Sequence, residues 1–537
     1  MIRNLLGRVY PFYPVLFILG SGIITLFFGL SEKKPYKLLA VALSAFSLAG
    51  SLFINIFSFN LKGEFNSSLF NFGTLQVLLN SIVLFSAINI LLFLALFNFA
   101  KKNFIKIIIM FDICITSFIF FIVSINFIMI FVSLVFFAAG AFQIVTSLSR
   151  GNLSKSIPEY SVKNNIIRFF LLSAFSLLLM FFGFSLLFGA TDLKSFSTVI
   201  ESDFKNTSLL KTGFFLILCS AFTFGGFVPL HSPYMKMQRR IENTGTIIIW
   251  LLYLPAGLFI FLKLKDVLFN FLGGHNNYII AVLLAVSAAS ILAGNIGAIR
   301  TTSIRRIFSF LMLGIMGLSI AGFVQYGLGL FDEKSVMIYL VSNVILAGAA
   351  YIPLMSVFYY LENINGSDHI GNIKGFGRQN IYLAINMSII MLALGGLPGT
   401  YGYLARISLL SPYIKNPGSI FAEAGGTFSK ILNISVIVVM LIAWAFIAVN
   451  MIRLILVIYS RSEKKTGAGQ AGFEEGLPGV GRALTAGPQK KAILPVFIYI
   501  YVTFFTLLII LAGIAGLFEL FGLKQLLTGI SIMSLNL

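Results

Sequence analysis

Four ionisable side chains lie within or beside long apolar stretches, where a charge is costly and is usually kept for a function. They are Arg406, Asp112, His231 and Arg305. A carboxyl group such as that of Asp112 could carry a proton, an imidazole could relay one because it titrates near neutrality, and an arginine could supply a fixed positive charge. These residue types therefore indicate the movement of protons or ions through an apolar matrix.

Each of the four also has a structural interpretation that the sequence leaves open. Arg406 could pair with backbone carbonyls freed at a helix break, and Asp112 could cap a helix or hydrogen-bond a serine or tyrosine. His231 could satisfy backbone groups beside Pro229. Arg305 opens an apolar run and could simply follow the rule that basic residues gather on one side of a membrane.

The composition is that of a protein with many membrane spans. Of the 537 residues, 58% are hydrophobic and 10% are charged, whereas soluble domains carry about 25% charged residues. The net charge of +20 comes from basic residues in short loops, so nucleic-acid binding is not expected. Cys114 and Cys219 lie in apolar runs at no metal-binding spacing. The sequence contains no Walker loop, GxGxxG motif or CxxC pair, so nucleotide, flavin and iron–sulfur binding are not expected in this chain.

The apolar runs predict an all-α membrane protein with about fourteen transmembrane helices, since a helix needs about 20 apolar residues to cross a bilayer. They cover residues 12–30, 38–57, 75–99, 107–123, 125–147, 169–190, 212–230, 244–263, 277–299, 307–329, 336–360, 381–413, 429–458 and 492–518. With the N-terminus outside, roughly two thirds of the 38 Lys and Arg residues fall in alternate loops, as expected for inner loops. An even number of spans then places both termini outside.

Two segments that contain glycine and proline interrupt the apolar runs, at Phe224–His231 (FGGFVPLH) and Gly395–Arg406 (GGLPGTYGYLAR). Pro229, Gly396 and Pro398 are the residues expected to end the helices there. A membrane tolerates unwound backbone only where protein or water satisfies the freed groups, and broken spans often mark an ion path. The sequence thus predicts two discontinuous helices, although ordinary proline kinks would leave the same pattern.

The positions of the two breaks predict an internal repeat within a single membrane domain, 1–537. Each break is followed by an intact span, as expected for repeats of about five helices. The first repeat is predicted at about 104–265 and the second at about 277–458. The segment 461–491 is rich in glycine and is predicted to be a flexible inner loop.

Several segments resemble the antiporter-like membrane subunits of respiratory NADH–quinone oxidoreductase (complex I). FGGFVPLHSP is similar to the family's VPFHxWxPD segment in a broken seventh helix. AGNIGAIRTTSIRRIFSF is similar to the GNxxALxQxNIKRLLAYS run that enters the tenth helix, and LGGLPGTYGYLARISLL to LAGIPPTxGFxGKxxxL at a broken twelfth helix. The matches extend from about 160 to 415, and the resemblance is closest to the family's subunit N.

The family's proton-carrying residues are not matched in this sequence. The resemblance implies a glutamate in the fifth helix, which falls near Val135, and lysines in the seventh and eighth helices, which fall at Phe224 and Leu254. The twelfth-helix lysine is replaced by Arg406, and the lysine of the NIKR run by Arg305. An arginine stays protonated in proteins, whereas a desolvated lysine can release its proton. The resemblance therefore implies an antiporter-like inverted repeat, together with a degenerate proton path.

Three hypotheses about function follow from the resemblance. The first is a membrane-arm subunit that couples quinone reduction to proton translocation, with Arg406, Asp112 and His231 along the path. The second is a scaffold subunit of the same complex that no longer conducts. The third is a subunit of a multi-subunit cation/proton antiporter or of a membrane-bound hydrogenase, which share this fold.

The resemblance also implies what surrounds the chain. No redox cofactor is expected in it, whereas FMN, iron–sulfur clusters and quinone are expected in partner subunits. The expected partners are the other membrane-arm subunits and the lipid bilayer. The expected location is an energy-conserving membrane, either a bacterial cytoplasmic membrane or the mitochondrial inner membrane.

Overall fold

The computed structural model describes most, but not all, of the chain. The described residues are 12–28, 33–60, 65–66, 69–101, 103–149, 159–191, 207–238, 241–270, 276–327, 343, 350–364, 368–415, 426–461 and 495–520.

Helices make up nearly all of the described chain and are numbered here in sequence order. They are α1 Tyr13–Phe28, α2 Lys34–Asn60, α3 Thr74–Asn98, α4 Phe104–Val123, α5 Phe127–Ser149, α6 Glu159–Thr191, α7 Thr207–Phe224, α8 Ser232–Gln238, α9 Asn243–Ile248, α10 Leu254–Asn270, α11 Asn276–Arg300, α12 Ile304–Gly327, α13 350–364, α14 Phe376–Gln379, α15 Ile381–Gly395, α16 Tyr401–Lys415, α17 Gly426–Tyr459 and α18 Val496–Leu520. A π-helical segment, Ile249–Tyr253, joins α9 to α10, and a short 3₁₀ turn covers Ile370–Ile373. Strands β1 Phe65–Asn66 and β2 Asn71–Phe72 form one small antiparallel pair.

The helices confirm the prediction of an all-α membrane protein. Within the described residues, ten helices are long and apolar enough to cross a membrane, and three shorter apolar helices accompany them. The predicted eleventh span, 336–360, is only partly described, and residues 462–491 of the predicted inner loop lie outside the described part. The number of fourteen spans and the two repeat boundaries therefore stay predictions.

The helices differ in how much of their surface other helices cover. α4, α12 and the span formed by α9, the π-helical segment and α10 are buried on most sides. In contrast, α2, α6 and α17 expose large apolar side chains such as Phe53, Phe181 and Leu441, as expected for surfaces that face lipid. The first break lies against the buried helix α10, whereas the second break lies against α17 and α18.

Candidate functional site

The first break ends α7 with a glycine in the left-handed conformation. Gly226 has a φ of 64°, and the backbone N–H of Phe227 donates to the carbonyl of Phe222 at 3.1 Å. This bond, which spans six residues, is the mark of the Schellman turn that commonly ends a helix. Residues 225–231 then form turns before α8 begins.

The second break ends α15 in the same way. Gly396 has a φ of 74°, and the N–H of Leu397 donates to the carbonyl of Leu392 at 3.1 Å. Residues 396–400 are not helical, and Pro398 lies among them. The predicted discontinuity of both helices is therefore confirmed, and a Gly-Gly-apolar sequence produces the same turn at each.

Different side chains satisfy the carbonyls freed at the two breaks. At the first break, the hydroxyl of Tyr234 donates to the carbonyls of Thr223 and Phe224, at 2.8 Å and 3.0 Å. The donor is neutral and sits on the short helix α8, directly after the break.

At the second break the donors are a cation and an indole. Nη2 of Arg406 donates to the carbonyl of Leu394. Nε1 of Trp444, on α17, donates to the carbonyls of Gly395 and Gly396 at 3.1 Å and 3.2 Å. A cation at the carboxyl end of a helix is favoured by the helix dipole. The arrangement therefore fulfils the structural interpretation of Arg406 and also fixes a positive charge at membrane depth.

The guanidinium of Arg406 lies in the interior of the bundle. Its residue is 3% exposed, and it interacts electrostatically with Tyr351 on α13. The Tyr351 ring packs against Trp250 and Phe308, with centroid separations of 5.5 Å in each case. The aromatic cluster next to Arg406 therefore includes Trp250 from the first half of the chain.

The interior beside the first break is packed with aromatic rings. Phe224 stacks on Tyr253 with centroids 4.6 Å apart and an interplanar angle of 13°. Phe169 and Phe137 approach the same Tyr253 ring at 5.0 Å and 5.9 Å, and Phe118 stacks on Phe137 at 5.0 Å. Phe224 is one of the positions where the resemblance implies a lysine, so apolar packing fills the place of that charge.

The family's fifth-helix glutamate falls near Val135, and α5 contains no acidic residue. Val135 is 36% exposed on α5 and faces out of the bundle, whereas its neighbours Leu134 and Phe137 are fully buried. Successive residues of a helix are turned by about 100°, so neighbouring side chains face different sides of the helix. The fully buried residues near Val135 that face the interior are Leu134 and Phe137, and both are apolar. Leu254, the other lysine position, is buried directly after the π-helical segment.

Asp112 and His231 lie in different surroundings from Arg406. Asp112 is buried on α4, where Oδ1 accepts a hydrogen bond of 2.6 Å from the hydroxyl of Ser44 on α2. His231 is half-buried at the first break, and its imidazole lies against the carbonyl of Pro229, which follows a cis peptide bond. Both contacts match the structural interpretations, and a proton-relay role for either residue stays a prediction.

Arg305 is the centre of an ion-pair network at one end of the bundle. Its Nη2 lies 2.7 Å from Oε1 of Glu362, and its Nε lies 3.3 Å from Oδ2 of Asp368. Its Nη1 donates to the carbonyl of Ile241. The guanidinium therefore connects the start of α12 to the end of α13 and to the loop before α9. A basic residue that only followed the rule of charge on one side of the membrane would not need these contacts.

A second ion pair extends this network. Lys101, in the loop between α3 and α4, pairs with Glu242 at the start of α9, and Glu242 also interacts electrostatically with Arg305 and Glu362. We call the five residues Lys101, Glu242, Arg305, Glu362 and Asp368 the end cluster. It connects the first half of the chain to the second.

Burial shifts the pKa values in the end cluster more strongly than charge attraction does. Burial raises the pKa of Glu242, and attraction to Lys101 offsets only part of the rise. Burial likewise raises the pKa of Glu362 despite its contact with Arg305, and it lowers the pKa of Lys101. Each ion pair is thus held at a cost in desolvation.

Five contributors to these sites were not predicted from the sequence: Tyr234, Trp444 and the three acids of the end cluster. Tyr234 and Trp444 cap the two breaks, but neutral side chains are not found by a search for ionisable groups. The acids of the end cluster could have been suspected, because the chain has only 18 Asp and Glu residues against 38 Lys and Arg.

Comparison with known proteins places this geometry in a family. The family described as "NADH:quinone oxidoreductase/Mrp antiporter, TM" matches residues 159–433. The NADH-quinone oxidoreductase subunit N of Neisseria gonorrhoeae is 27% identical over 259 residues, which are 46% of this chain and 50% of that protein. The chain thus spans about half the length of the curated relatives it matches.

Solved structures share the fold at low identity. A chain of respiratory complex I from Thermus thermophilus with bound aureothin has a TM-score of 0.67 and 13% identity, covering 93% of this chain and 96% of that one. A chain of the Mrp complex from Dietzia sp. DQ12-45-1b has a TM-score of 0.72 and 13% identity, covering 96% of each. With the matched family domain on both sides of the first break and extending past the second, this protein belongs to the NADH:quinone oxidoreductase/Mrp antiporter family of membrane subunits.

Proposed function

We propose that this chain is a membrane-arm subunit of a respiratory NADH–quinone oxidoreductase, with its proton path closed in the first half and a fixed charge kept in the second. The family and the curated relatives support the type of complex. The observation that carries the rest is the pair of breaks, which share one turn but are capped by neutral Tyr234 and by cationic Arg406. FMN, iron–sulfur clusters and quinone would belong to partner subunits, and both termini would lie outside.

The proposed role of Arg406 is electrostatic. Its guanidinium does not release its proton, so it does not pass protons along a chain of exchanging groups. Two unit charges 4 Å apart interact by about 4 kcal/mol at an effective dielectric constant of 20. A proton that crosses the second half must therefore pass a barrier set by Arg406, and charge movements in neighbouring subunits raise or lower that barrier.

The test is the coupling of the assembled complex after Arg406→Gln. Glutamine keeps a donor near the Leu394 carbonyl and removes the charge. We expect fewer protons translocated per NADH oxidised, with electron transfer and assembly retained. Arg453→Gln is a matched control, because Arg453 also donates to helix-end carbonyls, those of Ala298 and Ile299 at 3.2 Å and 2.8 Å. Unchanged coupling after Arg406→Gln would remove the proposal.

A scaffold subunit without conduction is the second candidate. The specific observation in its favour is the stack of Phe224, Tyr253, Phe169 and Phe137, since a ring-packed interior leaves little for water to bind. Under this function, Arg406→Gln would reduce the amount of assembled complex and leave the coupling ratio of the remainder intact. Blue-native electrophoresis alongside the coupling assay separates the two functions.

The complex type is tested by purification of the intact assembly. Co-purification with a quinone-reducing peripheral arm is expected. Recovery in an assembly that contains only membrane subunits and exchanges cations for protons would favour the antiporter alternative instead.

A further inference from the structure

A line of buried polar side chains runs along one face of α2, away from both helix breaks. Its members are Lys37, Ser44, Ser47, Ser51 and Asn55, each 7% exposed or less. From the first to the last, the line is about 27 Å long at 1.5 Å per residue, which is close to the thickness of the hydrocarbon core. A hydrophobic helix seldom buries such a face without a use for it.

The hydroxyls of this line have defined partners on neighbouring helices. Ser51 donates to the carbonyl of Pro14 at 2.7 Å, and Ser21 on α1 donates to Ser47 at 2.9 Å. Ser47 in turn donates to the carbonyl of Ser44 at 2.9 Å. The hydrogen bonds of the serines are therefore directed along α2 and across to α1.

Asp112 on α4 contacts this line through Ser44 and has a buried polar atom left over. Ser44 donates to Oδ1 at 2.6 Å, but Oδ2 is buried and has no hydrogen-bond partner among the described residues. The residue is 1% exposed. Gly22 on α1 faces the Asp112 side chain, and a methyl group at that glycine would lie 3.8 Å from its Cβ.

Among the described residues, no basic side chain contacts the carboxyl of Asp112. Lys263 on α10 packs on α4, but its Nζ lies over the Phe121 ring, 5.5 Å from the centroid and near the far end of α4. The helices α3 and α5, which pack on α4, contain no acidic or basic residue within Thr74–Asn98 and Phe127–Ser149. On α1, α2 and α4 the ionisable side chains besides Asp112 are Tyr13, Lys34, Tyr36, Lys37, Lys106 and Cys114. The lysines lie in the first turns of α2 and α4, whereas Asp112 is near the middle of α4.

An ionised carboxyl in this setting would be expensive, because one hydrogen bond does not replace the lost solvation. A metal cation needs several oxygen ligands arranged around it. A proton needs only the one oxygen Oδ2. We infer that Asp112 is a proton-binding site, and that it exchanges its proton with the membrane surface along the polar face of α2. Neither the binding nor the exchange depends on the proposed function, in which the first half of the chain does not conduct protons.

The binding step is tested by infrared spectroscopy of the full chain reconstituted in lipid. We expect the wild type to show the C=O stretch of a protonated carboxylic acid at neutral pH, absent from Asp112→Asn. Ser44→Ala should shift this band because it removes the 2.6 Å hydrogen bond. Ser117→Ala is the matched control, since the Ser117 hydroxyl on the same helix donates to the carbonyl of Ile113. It should leave the band in place.

Two results would overturn the inference at this step. One is a carboxylate band at neutral pH with no protonated band, and the other is a carboxylate band that responds to added sodium, which would mark a metal-ion site. The exchange step is tested by the rate of band shift after transfer to D₂O. Ser47→Ala and Ser51→Ala together should slow the shift at least tenfold, and an unchanged rate would overturn exchange along α2. Failure of the Arg406 coupling test would leave both spectroscopic results untouched.

Discussion

The two helix breaks contain the same backbone turn, but different side chains cap the carbonyls that each break frees. Gly226 and Gly396 have φ values of 64° and 74°, and in each case the next residue donates to a carbonyl five positions earlier. The freed carbonyls then receive a phenol hydroxyl at the first break and a guanidinium at the second. The backbone turn therefore does not depend on the charge of the side chain that caps it. Each break needs a hydrogen-bond donor, but the donor can be neutral.

The comparison also explains how a member of this family can lack the lysines that the resemblance implied. Where the first half would need a charged group, Phe224 stacks on Tyr253. Burial of such a pair stabilises the bundle through area and ring geometry, so the loss of the charge leaves a packed interior. At the second break the cation donates to the carbonyl of Leu394, and Trp444 donates to those of Gly395 and Gly396.

The largest expected effect comes from adding a methyl group at the left-handed glycines. The Cβ of Gly396→Ala would lie 2.1 Å from Nη1 of Arg406 and 2.8 Å from Nε1 of Trp444. Left-handed strain of about 1–2 kcal/mol and overpacking of about 1–3 kcal/mol together predict a loss of about 4 kcal/mol in unfolding free energy. Gly226→Ala should cost about 2 kcal/mol, because its nearest neighbour is the edge of the Tyr234 ring at 2.9 Å. Thermal unfolding followed by maleimide labelling of buried Cys114 measures both. Equal losses of unfolding free energy in the two variants would contradict the proposed difference between the two breaks.

The next largest effect is expected at the end cluster, which connects the first half of the chain to the second. Arg305→Ala leaves Glu362 and Asp368 without their shared cation, and we expect a loss of about 3 kcal/mol. Arg306→Ala is the control, since its guanidinium lies 5.8 Å from the Phe310 ring centroid and should cost about 1 kcal/mol or less. The same labelling assay distinguishes them. Similar losses of unfolding free energy at both positions would mean that the ion pairs of Arg305 stabilise the fold no more than the contacts of Arg306 do.

A smaller effect is expected from removal of the neutral cap. Tyr234→Phe keeps the ring and leaves the carbonyls of Thr223 and Phe224 without their donor, which should cost about 1–2 kcal/mol. Tyr403→Phe, whose ring packs on Trp444 with centroids 5.9 Å apart, is the control and should change the unfolding free energy by less than about 0.5 kcal/mol. A Tyr234→Phe protein as stable as the wild type would show that the first break needs no cap.

The smallest effect is the dependence of stability on pH. The pKa values of Glu242 and Glu362 are raised above the ordinary 4.5 by burial, so the folded chain holds more protons than the unfolded chain just above pH 4.5. The unfolding free energy should therefore fall as pH rises through the raised pKa values. The pKa of Lys101 is lowered from 10.5, so the unfolding free energy should rise again as pH increases between its folded pKa and 10.5. Glu362→Gln should flatten the acid-side slope, and an unchanged slope would place the effect elsewhere.

Features that depend on neighbouring residues could be predicted from the sequence, and features that depend on distant ones could not. The breaks were predictable because Gly-Gly-apolar sequences followed by Pro229 or Pro398 act locally. The end cluster was not, because Lys101 and Glu242 are 141 residues apart. The cap by Tyr234 was missed because its importance comes from the turn and not from charge.

The central claim is that the two breaks share a turn and that only the second carries charge for coupling. The most direct measurement is the number of protons translocated per NADH oxidised, with Arg406→Gln and Tyr234→Phe compared in the same assembled complex. We predict that Arg406→Gln lowers this ratio at least twofold while Tyr234→Phe leaves it unchanged. Equal ratios in both variants, or a loss only with Tyr234→Phe, would contradict the account.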